Sequence, residues 1–295
     1  MGKGWGRRLT ILIPYLWLGT FFLLPFLIVL KISLSEPVIA QPPYAPTWDS
    51  LEAIQEHISA PVWSNYTFLF SDTLYLDSFI NSIIIASVST FLALLVGFPI
   101  AYGMARSSPT WRVILLTLVI LPFWTSFLIR VYAWIGILKN EGLLNLILEA
   151  SGIIDAPLQI LYTPVAVYVG IVYSYLPFMV LPLYSSLEKI DSAYFEAAAD
   201  LGARPATTFW QIVVPLSLPG VAAGCFLVFI PAVGEYVIPE LLGGTSTQMI
   251  GKTLWTEFFQ NRDWPVASAV AVLLILILVV PIVIFQQIAK RGGTG

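Results

Sequence analysis

Charge is what this chain of 295 residues has least of: only 11% of them are Asp, Glu, Lys or Arg, against roughly 25% in an ordinary soluble domain. So few charges cannot cover a water-facing surface, which excludes a free-standing cytosolic enzyme, a disordered chain and a fibre. Cysteine and histidine are scarcer still. Cys225 is the only cysteine and His57 the only histidine, so a disulfide framework, a Cys/His zinc site and a haem-attachment motif all lack their ligands. Neither a metal site nor redox chemistry is expected. Basic residues are also missing over one long stretch, since no Lys or Arg occurs from Ile32 to Ala105.

What is present is apolar surface. Hydrophobic residues make up 58% of the chain and the mean hydropathy is +0.86, which points to several membrane spans folded as one unit. A hydrocarbon core about 30 Å thick needs roughly 20 apolar residues of helix. Six segments meet that need, near residues 9–31, 79–103, 112–134, 163–186, 211–234 and 266–287. The expected fold is an all-α membrane protein, one transmembrane domain over 1–295. The third segment is the least regular: Val113 to Ile129 lies between Arg112 and Arg130 and gives about 25 Å of helix. One of those arginines must snorkel or face a polar cavity. Pro99, Pro122, Pro177, Pro182, Pro219, Pro231 and Pro281 interrupt the segments, as a bundle tolerates when neighbours satisfy the freed carbonyls. Val38-Ile39-Ala40 resembles a signal-peptide cleavage site. The apolar stretch before it, about 22 residues, exceeds the 7 to 15 of such a leader, so a retained span is expected.

Orientation follows from the basic residues, which are kept on the cytoplasmic side of span ends. Lys3, Arg7 and Arg8 place the N-terminus inside, and an even number of spans returns the C-terminus there. Glu235 aside, the inner segments then hold nine basic and four acidic residues, and the outer ones five basic and twelve acidic. The outer mouth is electronegative. Glu141 to Gly152, apolar at most positions, is expected to lie on the outer interface as a packed connector.

The most informative segment is the inner connection from Asp191 to Pro219, DSAYFEAAADLGARPATTFWQIVVPLSLP. Asp191 or Ser192 suits a helix N-cap, Ala197, Ala198 and Ala199 continue the helix, Gly202 suits a left-handed end, and Pro205 suits the first turn of the next. The spacing predicts a short helix, a turn and a second helix, with Glu196, Asp200 and Arg204 as charged anchors. Here the chain resembles the EAA loop of binding-protein-dependent ABC-importer permeases: Glu196-Ala197-Ala198, then Gly202, Ile212 and Pro215. Val214 stands where leucine is common. The resemblance implies that this loop, 188–215, carries a cytoplasmic coupling helix that inserts into an ATP-hydrolysing partner, with Glu196, Ala197, Ala198 and Gly202 transmitting force.

The likeness runs over nearly the whole chain and narrows to polyamine-importer permeases, the putrescine type above all. It is carried by IPYLWLGTFFLLPFLIVLKISLSE from Ile13, LPFWTSFLIRVYAWIGILKNEGLLN from Leu121, FIPAVGEYVIPELLGG from Phe229 and FFQNRDWPVASAVAV from Phe258. It implies a multi-pass protein of the bacterial inner membrane with four kinds of partner. These are a second, non-identical permease subunit, a dimer of ATP-binding subunits, a periplasmic polyamine-binding protein and the polyamine itself. ATP and Mg would be bound by the partner ATPase, with no cofactor in this chain. Nucleic acid is not an expected partner.

A polyamine is an extended, multiply charged cation, so its path needs carboxylates or ring faces to replace lost water. Glu235 is the leading candidate, because it ends a charge-free run from Pro205 to Gly234 and a mid-span charge costs about 2.5 to 3.5 kcal/mol. Pro231, Gly234 and Pro239 suit an opened helix beside it. The competing reading is an ion pair between Glu235 and Arg130, or simple contact with water at the outer boundary. Trp124, Tyr132, Trp134, Tyr173, Tyr175 and Tyr236 offer ring faces, with Tyr236 preferred, although Trp and Tyr also gather at membrane interfaces for anchoring. Gly220 and Gly224 form a G-x-x-x-G pair suited to close helix packing, while Arg262, Asp263 and Trp264 suit either a solvated turn or contact with a binding protein. Gly244 and Gly251-Lys252-Thr253 do not make a P-loop, since six residues rather than four separate the glycines.

The sequence therefore reads as a transport subunit, not an enzyme: an ATP-driven polyamine permease, carrying putrescine in the first reading and spermidine or another small solute in the second. An ATP-independent secondary transporter or channel is the rival class. An intramembrane enzyme would need a serine, histidine and acid within the spans, and His57 lies in the expected outer loop.

Overall fold

In hydrocarbon a backbone has only itself to bond with, and the long apolar runs of this chain accordingly become helices. The computed structural model describes residues 3–48, 50, 54–55 and 61–292. Asp49, Glu52, Glu56 and His57 of the expected outer loop lie outside them. In chain order come α1 (Lys3–Leu18), α2 (Leu24–Ser33), α3 (Ser64–Ser71), α4 (Thr73–Arg106), α5 (Pro109–Ile120), α6 (Phe127–Leu138) and α7 (Leu143–Ala150). Then follow α8 (Pro164–Leu187), α9 (Ser192–Asp200), α10 (Pro205–Thr208), α11 (Val214–Val233), α12 (Val237–Leu242), α13 (Ile250–Trp255) and α14 (Trp264–Gly292). Among the described residues the strands are β1 (Glu36–Pro37) and β2 (Tyr44–Ala45), paired antiparallel with Glu36 opposite Ala45.

Four described helical stretches are long and apolar enough to cross a membrane: Thr10–Ser33, Thr73–Arg106, Pro164–Leu187 and Pro205–Val233. They fall on the first, second, fourth and fifth expected segments. The third, expected over 112–134, is not one rod. Pro109–Trp124 and Phe127–Ala150 meet at a bend of 93°. Pro122 has no N–H to donate, Leu121–Trp124 tightens into a 3-10 turn, and Thr125 and Ser126 are extended, with ψ of 151° and 138°. The Thr125 hydroxyl then satisfies the Pro122 carbonyl at 2.8 Å. The sixth segment lies in α14, whose described apolar part, Trp264–Val279, is shorter than a full crossing.

Packing groups the chain into two units, Met1–Leu76 with Thr253–Gly295, and Asp77–Lys252. In the first, α2 and α3 both pack on α14. Lys31, at the end of α2, is buried beneath the β-hairpin, its ammonium 2.7 Å from the Pro46 carbonyl and 4.1 Å from the Tyr44 ring centre. Asn65 ties α3 to the same end by donating to the carbonyls of Ser33 and Ser35. Buried Glu257 accepts from Tyr75 and Asn261, both at 2.9 Å. Asp263 caps α14 by accepting from the Val266 N–H at 3.0 Å, and burial holds its carboxyl above the usual range.

The second unit is built on α8 against α11, with Met179, Val180, Leu183, Val213 and Val228 fully buried. Gly220 and Gly224 serve this contact. A Cβ on Gly220 would stand 2.6 Å from the Ser186 Cβ, and one on Gly224 would stand 2.8 Å from the Met179 sulfur. The G-x-x-x-G pair is thus spent within the chain, letting two helices of one unit close on each other.

Candidate functional site

The charge-free helix α11 ends at Val233, where the chain unwinds through Gly234, Glu235 and Tyr236 before α12 begins at Val237. The break follows from composition. Pro231 cannot bond back along the helix and Pro239 suits only the first turn of the next. The carboxylate fills the gap that this opens. Glu235 Oε1 accepts from the backbone N–H groups of Tyr236, Val237 and Ile238 at 3.2, 3.0 and 3.4 Å, and Oε2 accepts from the Tyr175 hydroxyl of α8. With 7% exposure, Glu235 is a buried acid surrounded by donors.

Neighbouring elements hold the break in place. α13 enters beside it, its first backbone N–H donating to the buried Ser82 hydroxyl at 2.7 Å. A Cβ on Gly251 would strike the carbonyls of Gly234 and Glu235, so only glycine lets the two backbones approach this closely. Gly170 does the same on the other side, where a Cβ would stand 2.7 Å from Leu242 and 2.8 Å from Ile238 of α12.

The other expected pathway residues divide. Tyr236 adjoins Glu235 and is half-buried. Trp134 of α6 packs edge-on against Tyr173 of α8, with ring centres 5.4 Å apart. Trp124 and Tyr132 stand out at 79% and 58% exposure. Arg130, in the first turn of α6, is buried but not beside a carboxylate. Its Nε and Nη1 have no hydrogen-bond partner, and its guanidinium lies 5.1 Å from the Phe123 ring centre and 5.8 Å from that of Phe127. The alternative pairing of Glu235 with Arg130 is not formed: three backbone N–H groups share Oε1 and the Tyr175 hydroxyl takes one site on Oε2, which keeps acceptor capacity for a further donor. The decisive partner, Tyr175, was one aromatic among several in the sequence. The only signal available for it was that a buried carboxylate requires a hydroxyl or amine donor somewhere on a facing helix.

The loop from Asp191 to Pro215 has the helix, turn and helix that its residues predict. Asp191 accepts from the Ala193 N–H at 3.0 Å and starts α9. Gly202 ends it at φ +75°, with the Ala203 N–H on the Ala198 carbonyl and the Gly202 N–H on the Ala199 carbonyl, the two bonds of a Schellman turn. Pro205 opens α10. Ala198 is turned into the protein, whereas Glu196, Ala197, Asp200 and Leu201 are exposed. Beyond the turn, Phe209–Val213 forms a π turn that carries Ile212, half-buried, into α11, with Pro215 exposed at its start.

Two arginines to which the sequence reading gave no part in this loop fix it to the helix ends around it. Arg106, the last residue of α4, lies 3.4 Å from the ring centre of Phe195 in α9 and 5.8 Å from that of Tyr102. Arg112 of α5 pairs with Glu188 at 2.7 Å and donates to the Ala105 carbonyl at 3.1 Å.

The spermidine/putrescine transport system permease protein PotB of Haemophilus influenzae is 39% identical over 284 residues, covering 96% of this chain and 94% of that one. PotB of Escherichia coli K12 is 41% identical over 226 residues, 77% of this chain and 82% of that protein. Among solved structures, a bacterial alginate ABC transporter in complex with alginate pentasaccharide-bound periplasmic protein superposes with a TM-score of 0.74 at 15% identity, covering 99% of this chain and 96% of that one. That last likeness concerns fold alone. The family model for the inner membrane component of binding-protein-dependent transport systems matches residues 4–291. The chain belongs to that family of all-helical inner-membrane permeases, a transport subunit and not an enzyme.

Proposed function

We propose that this chain is one of two permease subunits of an ATP-driven polyamine importer, with putrescine as first cargo. The reading has six spans with both termini cytoplasmic, the 93° bend of the third included. The exposed face of α9, with Glu196 and Ala197, docks on an ATP-hydrolysing partner that binds the ATP and Mg. Closure of that partner moves the loop and switches the pathway between outward and inward openings, and a periplasmic binding protein delivers the cargo.

The observation that carries the substrate class is a buried carboxylate, Glu235, at an unwound break in a chain alike over nearly its full length to a spermidine/putrescine permease. An ammonium reaching the break exchanges water for that carboxylate and the freed backbone carbonyls, as transporters arrange for cations. Spermidine is the second reading, because the relatives' name couples the two cargoes. The test is reconstitution with the second permease, the ATPase and the binding protein, followed by uptake of putrescine, spermidine and an amino-acid control. ATP-dependent uptake of putrescine above the control is expected. Uptake of the amino acid alone would refute the substrate class, and uptake without the ATPase would favour a secondary transporter or channel.

A further inference from the structure

The reading above explains Glu235 but not Arg130. An ionisable side chain inside a membrane segment normally pairs or marks a functional path, and Arg130 does not pair. It is 9% exposed, its Nε and Nη1 have no hydrogen-bond partner, and no carboxylate of the described residues lies within ion-pair distance. Ring faces are its company. A fixed positive charge is also the wrong sign to attract a cationic cargo.

Its position relative to Glu235 gives it a use. The guanidinium lies 5.1 Å from the Phe123 ring centre, Phe123 packs edge-on to Phe178 at 5.2 Å, and Phe178 lies 6.1 Å from Tyr175, whose hydroxyl holds Glu235. Three ring steps, none longer than 6.1 Å, thus join the guanidinium to Tyr175, and the Tyr175 hydroxyl completes the strip to the carboxylate. Phe123 and Phe178 are 37% and 38% exposed, so the strip has an open side. The bend at Thr125 and Ser126 produces this arrangement, because it separates Phe123 on one helical arm from Arg130 on the other.

We infer that Arg130 is a specificity-determining residue, a positive stop that limits how long a cation can lie along the Tyr175–Phe178–Phe123 strip with one end at Glu235. The inference rests on the polyamine reading. A cation anchored at the carboxylate lays its methylenes on the rings and a second ammonium over a ring face. A diamine ends there. A triamine extends a further charge toward Arg130, and two like charges repel strongly in a low-dielectric setting. The strip therefore favours the shorter cargo.

The test uses the reconstituted four-component importer, with the binding protein saturated by putrescine or by spermidine so that its own preference drops out. In Arg130→Gln and Arg130→Met, the ratio of spermidine to putrescine uptake is expected to rise about tenfold, equivalent to about 1.4 kcal/mol. In Arg130→Lys, which keeps the charge, the ratio stays near that of the unaltered protein. An unchanged ratio in an assembled neutral variant overturns the inference, and so does failure of both neutral variants to assemble, which would make the guanidinium a folding element. If the unaltered importer moves neither polyamine, the proposed function fails and the inference goes with it. Robust polyamine uptake with an unchanged ratio removes the positive stop alone.

Discussion

At the residue scale, Glu235 does two jobs that substitution can separate. It caps α12 through three backbone N–H groups, and in the proposed function its carboxyl meets the cargo. Glu235→Gln keeps an oxygen for the caps and removes the charge, so the complex should assemble normally while KM for polyamine uptake rises about tenfold, a loss of about 1.4 kcal/mol. Unchanged uptake kinetics would remove Glu235 from the pathway. Glu235→Ala loses the cap as well, at about 1 kcal/mol, and orphans the Tyr175 hydroxyl at about 1 to 3 kcal/mol. Its purified complex should melt measurably below the Gln variant. Equal melting temperatures for the two would show that the capping bonds contribute nothing. Glu235 was legible in the sequence because one acid interrupts a long charge-free run. Tyr175 was not, since it lies 60 residues away and tyrosine in a span has many bland explanations. The competing pairing with Arg130 is not found for a related reason: opposite sign in the sequence does not reveal that the local backbone N–H groups already occupy one carboxylate oxygen.

At the scale of elements, helix ends were the most legible feature, because capping depends on a few adjacent residues. Asp191, Gly202 and Pro205 each mark an end of α9 or α10 as their chemistry requires. The bend in the third segment was less legible, since prolines at several other span positions are absorbed without a break while Pro122 is followed by two extended residues. A Cβ at Gly202 meets no atom within 4 Å, so its requirement is the positive φ alone. Gly202→Ala should therefore cost about 1 to 2 kcal/mol in the stability of the loop, and Gly202→Asn, which tolerates that conformation, should recover most of it. Hydrogen exchange of the α9 amides reads this out, with equal protection in all three forms as the contrary result. Asp263 gives a prediction of opposite sign. Burial raises its carboxyl above the unfolded value, so the native state binds the proton more readily and stability falls as pH rises through that range. Asp263→Asn retains the cap on α14 and removes the buried charge. It should raise the melting temperature at pH 7, and the gain should disappear at acid pH, where Asp263 is itself protonated. A pH-independent difference would mean that charge is not the cause.

At the scale of the molecule, the proposed function requires that motion of a nine-residue helix reach helices several times its length, and on that proposal Arg106 would transmit it. Its guanidinium lies 3.4 Å from the ring centre of Phe195 in α9 and 5.8 Å from that of Tyr102 in α4. Phe209, edge-on to Tyr102 at 6.0 Å and to Phe98 at 5.6 Å, begins the π turn that leads into α11. One cluster therefore connects the loop both to α4 and to α11, the helix that ends just before the Glu235 break. A cation held on a ring face contributes about 0.5 to 2 kcal/mol, small against the stability of the fold but large as a factor in how faithfully two elements move together. Arg106→Gln and Phe195→Leu should each leave the complex assembled and hydrolysing ATP, yet lower the amount of cargo moved per ATP about fivefold, within the range set by that contact energy. Because both remove the Arg106–Phe195 contact, the double variant should be no worse than Arg106→Gln alone. Arg106→Lys should keep part of the coupling, since an ammonium still sits over the ring without the planar fit of guanidinium. If uptake and ATP hydrolysis instead fell in proportion, the cluster would be serving docking of the ATPase, and force would have to reach α11 through the Arg204–Thr208 turn alone.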